Sequence, residues 1–297
     1  MISVSIVIPV YNREFELKRA ITGVLNQTEQ NFEIIVVDDY STMNIENIVA
    51  DFSDKRISYY KLPVKGNGNI CRNLGVLKAK GKYIAMLDSD DEWLPEHLTK
   101  KIKFIEATNA EGVFGSFILD NGEVKSNLIS RSFNKGESMA DYLLLGGIAQ
   151  TSTHFYKSES AKAVLWDEEL FRNQDLDYSI RFSHTYRFVP STDLTCIVHW
   201  KKGDQRNEHF DSNIKFIEKH KASISPHAYH LFNTNLYLKI SDRLDVENKF
   251  KIYFLRESTR YIRFCSIADY MTTHGLNKNK ISKMFLRFEY VFKVLFS

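Results

Sequence analysis

One stretch, residues 83–93, constrains the fold of this chain more than any other. The apolar residues 83–87 are followed, without a turn residue, by Asp88, Asp90 and Asp91. This pattern is typical of a buried strand that carries acidic side chains at its C-terminal end, which faces the ligand crevice in an open α/β sheet. Carboxylates this close repel one another, and a divalent cation is the simplest compensation. A solvated turn that caps the next helix is the alternative.

The chain before this stretch predicts a β-α-β unit. Residues 3–10 form a continuous apolar run, typical of a central parallel strand that is buried on both faces. Residues 14–27 place apolar side chains at helical spacing. Residues 32–37 then form a second apolar run, which ends at Asp38 and Asp39. We therefore expect several acidic strand ends to meet at one edge of an α/β sheet.

Further strands are expected downstream. We predict that residues 113–119 form one strand, with a hairpin turn at residues 120–123. Residues 151–156 read as another strand, in which His154 is a hydrogen-bonded core histidine rather than a ligand. Residues 187–190 and 195–200 are predicted to form a strand pair that closes the core.

Charge and periodicity change near residue 205. Residues 201–297 hold 18 Lys and Arg against 10 Asp and Glu, although the whole chain of 297 residues carries a net charge of only +3. We predict an α/β domain over residues 1–205 and a helical region over residues 206–297. The last predicted helix, residues 279–296, has one apolar face bordered by basic side chains. It can lie on an anionic membrane surface, pack on the enzyme, or join a second subunit in a homodimer.

The composition favours a cytoplasmic protein. Cys71, Cys196 and Cys265 are widely spaced, which suggests neither a disulfide framework nor a zinc site. No apolar run approaches the length of about 18 residues that a membrane span needs. Basic and aromatic residues alternate in the C-terminal region, but no nucleic-acid-binding motif accompanies them, so we expect no nucleic-acid partner.

Four motifs now suggest a family. They are residues 5–12 (SIVIPVYN), 35–42 (IVVDDYST), 68–75 (GNICRNLG) and 81–91 (GKYIAMLDSDD). In this order they resemble the family 2 inverting glycosyltransferases, which have the GT-A fold, a Rossmann-like mixed sheet flanked by helices. Two positions depart from the usual pattern, since Tyr40 stands where the family has Gly and Cys71 where it has Ala. Neither departure removes a functional side chain.

The resemblance implies a nucleotide-binding set at the first two strands. Pro9, Tyr11 and Asp39 match positions that line the nucleobase pocket, where Tyr11 stacks and Asp39 accepts a base N–H; Asn12, in the same motif, joins this set. Packing of Tyr11 on the rim of the strand is the alternative reading. Arg72, on the first turns of its helix, is expected to face the nucleotide, and an ion pair with a surface acid is its alternative.

The resemblance also implies a metal-binding motif. Asp88 matches the position that meets the ribose, and Asp90 and Asp91 match the metal side of a DXD-type motif. A Mg²⁺ or Mn²⁺ ion that bridges diphosphate oxygens would stabilise the charge of the leaving group. His199 ends a predicted strand and is a further candidate for the metal or the diphosphate, with packing beside Trp200 as its alternative.

A second chemical stretch lies at residues 171–182. Asp175 opens an amphipathic helix, where the N-terminal turn favours an ionised carboxylate. The stretch resembles the family's Glu-Asp motif, with Asp175 as the catalytic base and Arg181 as the later arginine, although Gln174 replaces the usual acid. An Asp175 that is only an N-cap or first-turn acid of the helix is the alternative, and for Asp177 that alternative is favoured. The basic loop at residues 201–206 could cover the donor's phosphates, or it could be a solvated loop.

We therefore predict a metal-dependent hexosyl-type glycosyltransferase that uses a nucleotide diphosphate sugar, with uridine favoured. The acceptor would be a glycan or lipid-linked hydroxyl at the inner face of the cytoplasmic membrane, in surface-polysaccharide synthesis. Two alternatives remain: a sugar-nucleotide nucleotidyltransferase, and a non-catalytic carbohydrate- or partner-binding protein on the same scaffold. The first would need a Gly-rich basic loop after the first strand, where residues 9–12 offer none.

Overall fold

The computed structural model describes residues 2–200 and 209–259. Within these residues the strands are β1 (Val4–Val10), β2 (Phe32–Asp38), β3 (Ile57–Lys61), β4 (Tyr83–Met86), β5 (Glu92–Trp93), β6 (Gly112–Gly115), β7 (Phe117–Asp120), β8 (Lys125–Leu128), β9 (Phe155–Lys157), β10 (Phe188–Ser191) and β11 (Cys196–His199). The helices are α1 (Glu14–Leu25), α2 (Ile45–Ala50), α3 (Gly68–Lys78), α4 (His97–Thr108), α5 (Met139–Leu144), α6 (Ser158–Ala163), α7 (Gln174–Ser183), α8 (Phe210–His220), α9 (Pro226–Ile240) and α10 (Asn248–Thr259). Short 3-10 turns occur at Thr151–Thr153 and Lys221–Ser223.

A mixed sheet forms the centre of the fold. In the described part of the chain it has seven strands, in the order β10-β6-β9-β4-β1-β2-β3. Neighbouring strands are parallel, except that β9 runs antiparallel to β4 and β6. Val4 of β1 lies opposite both Phe32 and Tyr83, so β1 is flanked by β2 and β4. The carboxyl ends of these three strands therefore meet at one edge, as the sequence predicted.

The apolar run of β1 explains its central place. Its side chains are buried on both faces, as expected for a strand covered by helices on either side. Helix α3 packs unusually close to it at Gly75, where an added Cβ would lie 2.3 Å from a methyl carbon of Val7. Only glycine allows this approach of the helix to the strand.

A second, smaller sheet is ordered β5-β11-β7-β8 within the described residues. The prediction that residues 113–119 form one strand is wrong, because the chain moves from the large sheet to the small one at Ser116. The backbone N–H and the hydroxyl of Ser116 both donate to the carbonyl oxygen of Ser191 at 3.0 Å. At Gly115 an added Cβ would lie 2.2 Å from that same oxygen, so the crossing is tightly constrained.

Two other strand predictions also need correction. The first half of residues 151–156 forms the 3-10 turn, because the side chain of Gln150 accepts the backbone N–H of Ser152. Residues 187–190 and 195–200 do not pair with each other, since β10 pairs with β6 whereas β11 pairs with β5 and β7. The hairpin turn at residues 120–123 is confirmed, with β7 and β8 antiparallel across it.

The chain forms two compact units, Met1–Ile224 and Ser225–Ser297. The predicted boundary after residue 205 lies outside the described residues. Helix α8 belongs to the first unit, where the Ser212 hydroxyl accepts the backbone N–H groups of Phe171 and Arg172 at 3.0 and 2.9 Å. In the second unit α9 contacts α10, and the Tyr229 hydroxyl donates to Glu257 at 2.9 Å.

The predicted membrane-facing helix at residues 279–296 lies outside the described residues. Among the helices that are described, none combines the length and the apolar character needed to cross a bilayer. The separation of the chain into an enzyme domain, residues 1–205, and a helical C-terminal region, residues 206–297, stays a prediction.

Candidate active site

A cleft of about 610 Å³ opens at the carboxyl edge where β1, β2 and β4 end. It brings together the predicted site residues Pro9, Tyr11, Asp39, Arg72, Asp88, Asp90, Asp91, Asp175 and His199. Asn12 is not among its lining residues. The basic loop at residues 201–206 lies outside the described residues.

Asn12 connects two loops. Its side-chain oxygen accepts the backbone N–H groups of Thr42 and Met43 at 2.9 and 3.2 Å, and its own backbone N–H donates to the Ser41 hydroxyl at 2.9 Å. The backbone of Asn12 is left-handed, with φ 49°, a conformation that asparagine adopts more readily than most residues. Asn12 therefore fixes the segment that presents Tyr11 and Arg13, and direct contact with a nucleotide stays a prediction.

The predicted base-binding pole consists of Tyr11 and Asp39, beside a residue that the sequence did not reveal, Lys65. The Lys65 ammonium lies 3.2 Å from the centroid of the Tyr11 ring and forms an ion pair with Asp39. The other Asp39 oxygen accepts the backbone N–H of Gly66 at 2.7 Å. The pole thus offers an aromatic face, a carboxylate acceptor and a cationic donor side by side.

Tyr40, next to Asp39, explains one departure from the family pattern. Its φ is +61°, in the left-handed region that glycine occupies without strain, and its side chain is exposed. The usual glycine at this position therefore has a conformational reason, and this chain tolerates a tyrosine there at a cost in backbone energy.

Arg72 is held beside Asp88 within the cleft. One guanidinium nitrogen lies 2.6 Å from Oδ1 of Asp88, and another donates to the side-chain oxygen of Asn69 at 3.2 Å. The guanidinium also lies over the ring of Trp166, 4.8 Å from its centroid, and only 8% of the side chain is exposed. The partner of Arg72 is thus a cleft carboxylate and not a surface acid.

Asp91 is buried, and both of its carboxylate oxygens are already bonded. One accepts the Ser152 hydroxyl at 2.5 Å and the Gln150 amide at 3.0 Å, and the other accepts the backbone N–H of His199 at 3.1 Å. Burial and the neighbouring carboxylates raise the pKa of Asp91 to about 8. These hydrogen bonds join three segments at Asp91, and Asp90 is the more exposed carboxylate of the two.

Asp90 lines the cleft, and its carboxylate forms an ion pair with Arg13. No group of three or more His, Cys, Asp or Glu side chains in the described ranges could hold a metal ion. A Mg²⁺ ion at a phosphate site is usually held by only one or two carboxylates together with substrate oxygens. Asp90 fits such a shared site, and a metal contact of Asp91, whose two carboxylate oxygens both accept hydrogen bonds, stays a prediction.

His199 lies at the same end of the cleft. Its ring nitrogens are 3.5 Å from a Glu92 oxygen and 3.7 Å from an Asp120 oxygen. Burial lowers the pKa of the imidazole, and the charge of Arg19 lowers it further. The contact that the structure shows with the acidic cluster is the backbone N–H of His199, which helps to orient Asp91; a role on the metal or diphosphate stays a prediction.

Asp175 faces the cleft from the first turn of α7. It accepts the backbone N–H of Leu176 at 3.0 Å, as an acid at a helix N-terminus can. Burial raises the pKa of Asp175, and this rise is opposed by the Leu176 N–H and the nearby Arg72 guanidinium. Gln174, in place of the usual acid, donates to the carbonyl oxygen of Leu170 at 2.9 Å, a bond that an ionised acid could not donate.

Three asparagines of the α3 region hold the segment that leads to Asp175. Asn67, Asn69 and Asn73 donate to backbone carbonyl oxygens in residues 166–170, at distances between 2.6 and 3.1 Å. Asn73 also accepts the backbone N–H of Trp166 at 2.8 Å. These hydrogen bonds were not predicted from the sequence, although three asparagines within seven residues of a helix start were a visible signal.

Two residues judged structural in the sequence are so in the structure. His154 is fully buried, between the Tyr156 hydroxyl at 2.6 Å and the Ala149 carbonyl oxygen at 3.1 Å, and burial lowers its pKa to about 3. Asp177 is also fully buried, and it connects α7 to α8 through His220. It therefore stabilises the helix that carries Asp175 and does not line the cleft.

Comparison with known proteins identifies the family of the chain. The model of the family "Glycosyl transferase family 2" matches residues 5–163, which is more than half of the chain. The amylovoran biosynthesis glycosyltransferase AmsB of Erwinia amylovora is 27% identical over 297 residues, covering 95% of this chain and 97% of AmsB.

Two solved structures share the fold. A crystal structure of TarS residues 1–349 from S. aureus in complex with UDP-GlcNAc has a TM-score of 0.61 at 18% identity, covering 94% of this chain and 78% of that one. The mannosyltransferase PcManGT from Pyrobaculum calidifontis, in complex with GDP-Man and Mn²⁺, has a TM-score of 0.55 at 12% identity, covering 91% and 77%. The mixed sheet and these similarities confirm the GT-A fold, and the chain belongs to glycosyl transferase family 2 and is a glycosyltransferase.

Proposed function

We propose that this enzyme transfers a sugar, with inversion, from a nucleotide diphosphate donor to a hydroxyl of a glycan or lipid-linked acceptor. One observation carries the proposal: the same cleft contains Tyr11 and Asp39 at its base-binding pole and Asp175 on the first turn of α7. Asp175 is close enough to Arg72 and Asp88 for their charges to shift its pKa. A donor can therefore lie along the acidic edge with its sugar directed towards one carboxylate.

The donor pole supports a nucleotide whose base offers an N–H next to a carbonyl oxygen. Asp39 accepts the N–H, and the Lys65 ammonium beside it can donate to the carbonyl. Uracil and guanine both present this edge, in agreement with UDP-GlcNAc on TarS and GDP-Man on PcManGT. We favour uridine.

Arg72 and Asp90 act on the diphosphate. A divalent cation bound at Asp90 would act there as a Lewis acid on the oxygens of the leaving diphosphate. Arg72 is fixed by Asp88 and Asn69, so its guanidinium is oriented before the donor binds. Asp88, which like Asp90 follows strand β4, would accept a ribose hydroxyl.

Asp175 takes the proton of the attacking hydroxyl. Its raised pKa makes the carboxylate a stronger base than an exposed aspartate, and the proton moves to it as the hydroxyl oxygen attacks the anomeric carbon opposite the diphosphate. Since only the ionised carboxylate can accept a proton, the transfer rate should fall as the pH falls through this pKa. The neighbouring Arg72 helps to keep the carboxylate ionised.

The relatives support a proposal for the biological setting. AmsB is named for amylovoran biosynthesis, and we propose that this enzyme likewise acts in polysaccharide synthesis, with a lipid-linked acceptor at the cytoplasmic face of the membrane. The C-terminal region, with its surplus of basic residues, is the proposed membrane contact.

The test is nucleotide release from a panel of UDP- and GDP-sugars, by the wild type and by Asp175→Asn. We expect Asp175→Asn to reduce turnover at least about 100-fold while donor affinity stays nearly unchanged, because the base acts on the acceptor. Glu169→Gln, which alters an exposed carboxylate nearby that pairs with Lys215, is the matched control and should retain full turnover. Full turnover in Asp175→Asn would refute the assignment.

A further inference from the structure

Two arginines form ion pairs with the acidic cluster that follows β4, which consists of Asp88, Asp90 and Asp91. The two arginine side chains differ in burial and in their number of partners. Arg72 is buried, pairs with Asp88 and has a second partner in Asn69. Arg13 pairs with Asp90, its side chain is 42% exposed, and the described residues give its guanidinium no second hydrogen-bond acceptor. An ion pair this exposed shifts an equilibrium by about five-fold at most, so Arg13 can readily exchange its partner.

Both members of this ion pair stand on backbone that is fixed by other contacts. Arg13 immediately precedes α1 and follows Asn12, whose side chain is bonded to the loop at residues 41–43. The backbone carbonyl oxygen of Asp90 accepts a hydrogen bond from Arg19. The backbone that carries the Asp90 carboxylate therefore stays in place when the Arg13 side chain moves, and the long side chain of Arg13 can turn into the cleft that it lines.

We propose that Arg13 is an exchangeable counter-ion that makes binding of a divalent cation depend on binding of the nucleotide diphosphate. This inference rests on the proposed function of the same cleft. Without a donor, Arg13 neutralises Asp90 and competes with any cation for the carboxylate. When a diphosphate enters, its negative charge attracts the guanidinium, and Asp90 becomes free for the cation.

The coupling is reciprocal. If the diphosphate tightens cation binding by removing Arg13 from Asp90, the cation must tighten diphosphate binding by the same factor. Arg13 therefore couples the two anionic ligands of the cation, the Asp90 carboxylate and the diphosphate, so that they bind the cation together.

The experiment measures Mn²⁺ affinity of the full chain from the electron paramagnetic resonance signal of free Mn²⁺, first with the metal alone and then with UDP or GDP added. We expect Arg13→Gln to bind Mn²⁺ alone about three- to five-fold more tightly than the wild type. The factor by which the added nucleotide tightens Mn²⁺ binding should fall correspondingly. Lys18→Gln removes a positive charge from α1 that pairs with Glu14, and it should behave as the wild type.

A second substitution identifies the metal ligand. In Arg13→Gln combined with Asp90→Asn, the gain in Mn²⁺ affinity should disappear, and a gain that persists would overturn the proposal. Equal affinity for Mn²⁺ alone in the wild type and in Arg13→Gln would overturn it as well. Because this arm contains no sugar donor, failure of the coupling is distinguishable from failure of the proposed transfer, which nucleotide release by Asp175→Asn tests separately.

Discussion

Asp177 is the buried carboxylate through which α8 supports α7, and its removal gives a prediction with a definite size. Its side chain is 1% exposed and lies 2.8 Å from Arg181, 2.7 Å from Lys219 and 2.8 Å from His220. Burial alone would raise the pKa of Asp177, but the hydrogen bonds from His220 and Lys219 and the charge of Arg181 outweigh it and lower the pKa to about 2.

The substitution Asp177→Asn keeps the shape of the side chain and removes its charge. The pKa falls from 3.8 to about 2, so the fold prefers the charged carboxylate over a neutral one by about 2–3 kcal/mol. We expect Asp177→Asn to lower the free energy of unfolding of the first unit by that amount. Asp167→Asn is the matched control: Asp167 pairs with the same Lys219 but is 20% exposed, so the loss should stay below about 1 kcal/mol.

The assay is urea unfolding followed by tryptophan fluorescence. Trp93, Trp166 and Trp200 all belong to the first unit, and Trp166 stacks on Tyr178 of α7 with the ring centroids 4.4 Å apart. A loss below about 0.5 kcal/mol in Asp177→Asn, or an equal loss in the control, would refute the reasoning.

The same variants test the pH dependence of stability. Because the folded-state pKa of Asp177 is depressed, its contribution is complete above the unfolded pKa of 3.8 and is lost as the pH falls towards about 2. The difference between wild type and Asp177→Asn should be constant above pH ~5 and should narrow by roughly 1 kcal/mol at pH 3.

Two further substitutions probe the base-binding pole and its neighbour. Tyr40→Gly should raise the free energy of unfolding by about 1 kcal/mol, because glycine adopts the left-handed backbone at this position without strain. Tyr40→Ala keeps the strain and should bring no gain. Equal effects of the two substitutions in urea unfolding would contradict this explanation. Lys65→Met should weaken UDP binding about ten-fold in titration calorimetry, because the donor beside Asp39 is lost. Lys61→Met, which removes an ammonium 5.5 Å from the Tyr40 ring, is its control, and tighter UDP binding by Lys65→Met would speak against a donor role.

Local sequence patterns were sufficient for the sheet centre and for most of the cleft. The continuous apolar run of β1 identified it as the central strand, and strand ends rich in acid placed Asp39, Asp88 and Asp90 at one edge. The strand predictions failed where tertiary contacts decide the path of the chain. At Ser116 a hydrogen bond to Ser191, 75 residues away, separates one apolar run into two strands of different sheets.

The remaining features of the site depend on contacts between distant segments, which spacing does not reveal. Asp91 has the same sequence signature as Asp90, but Ser152, 61 residues away, and the backbone of His199, 108 residues away, bond its oxygens. Lys65 reaches Asp39 from the loop after β3, and nothing in its local sequence distinguishes it from other surface lysines.

The most direct test of the central claim is the configuration of the sugar that the enzyme first releases. Proton NMR can follow hydrolysis of an α-linked UDP-sugar, with water in place of the acceptor, before the product equilibrates. Inverting transfer with Asp175 as base predicts that the β-anomer appears first and that Asp175→Asn abolishes its formation. Initial release of the α-anomer, or unchanged hydrolysis by Asp175→Asn, would contradict the account.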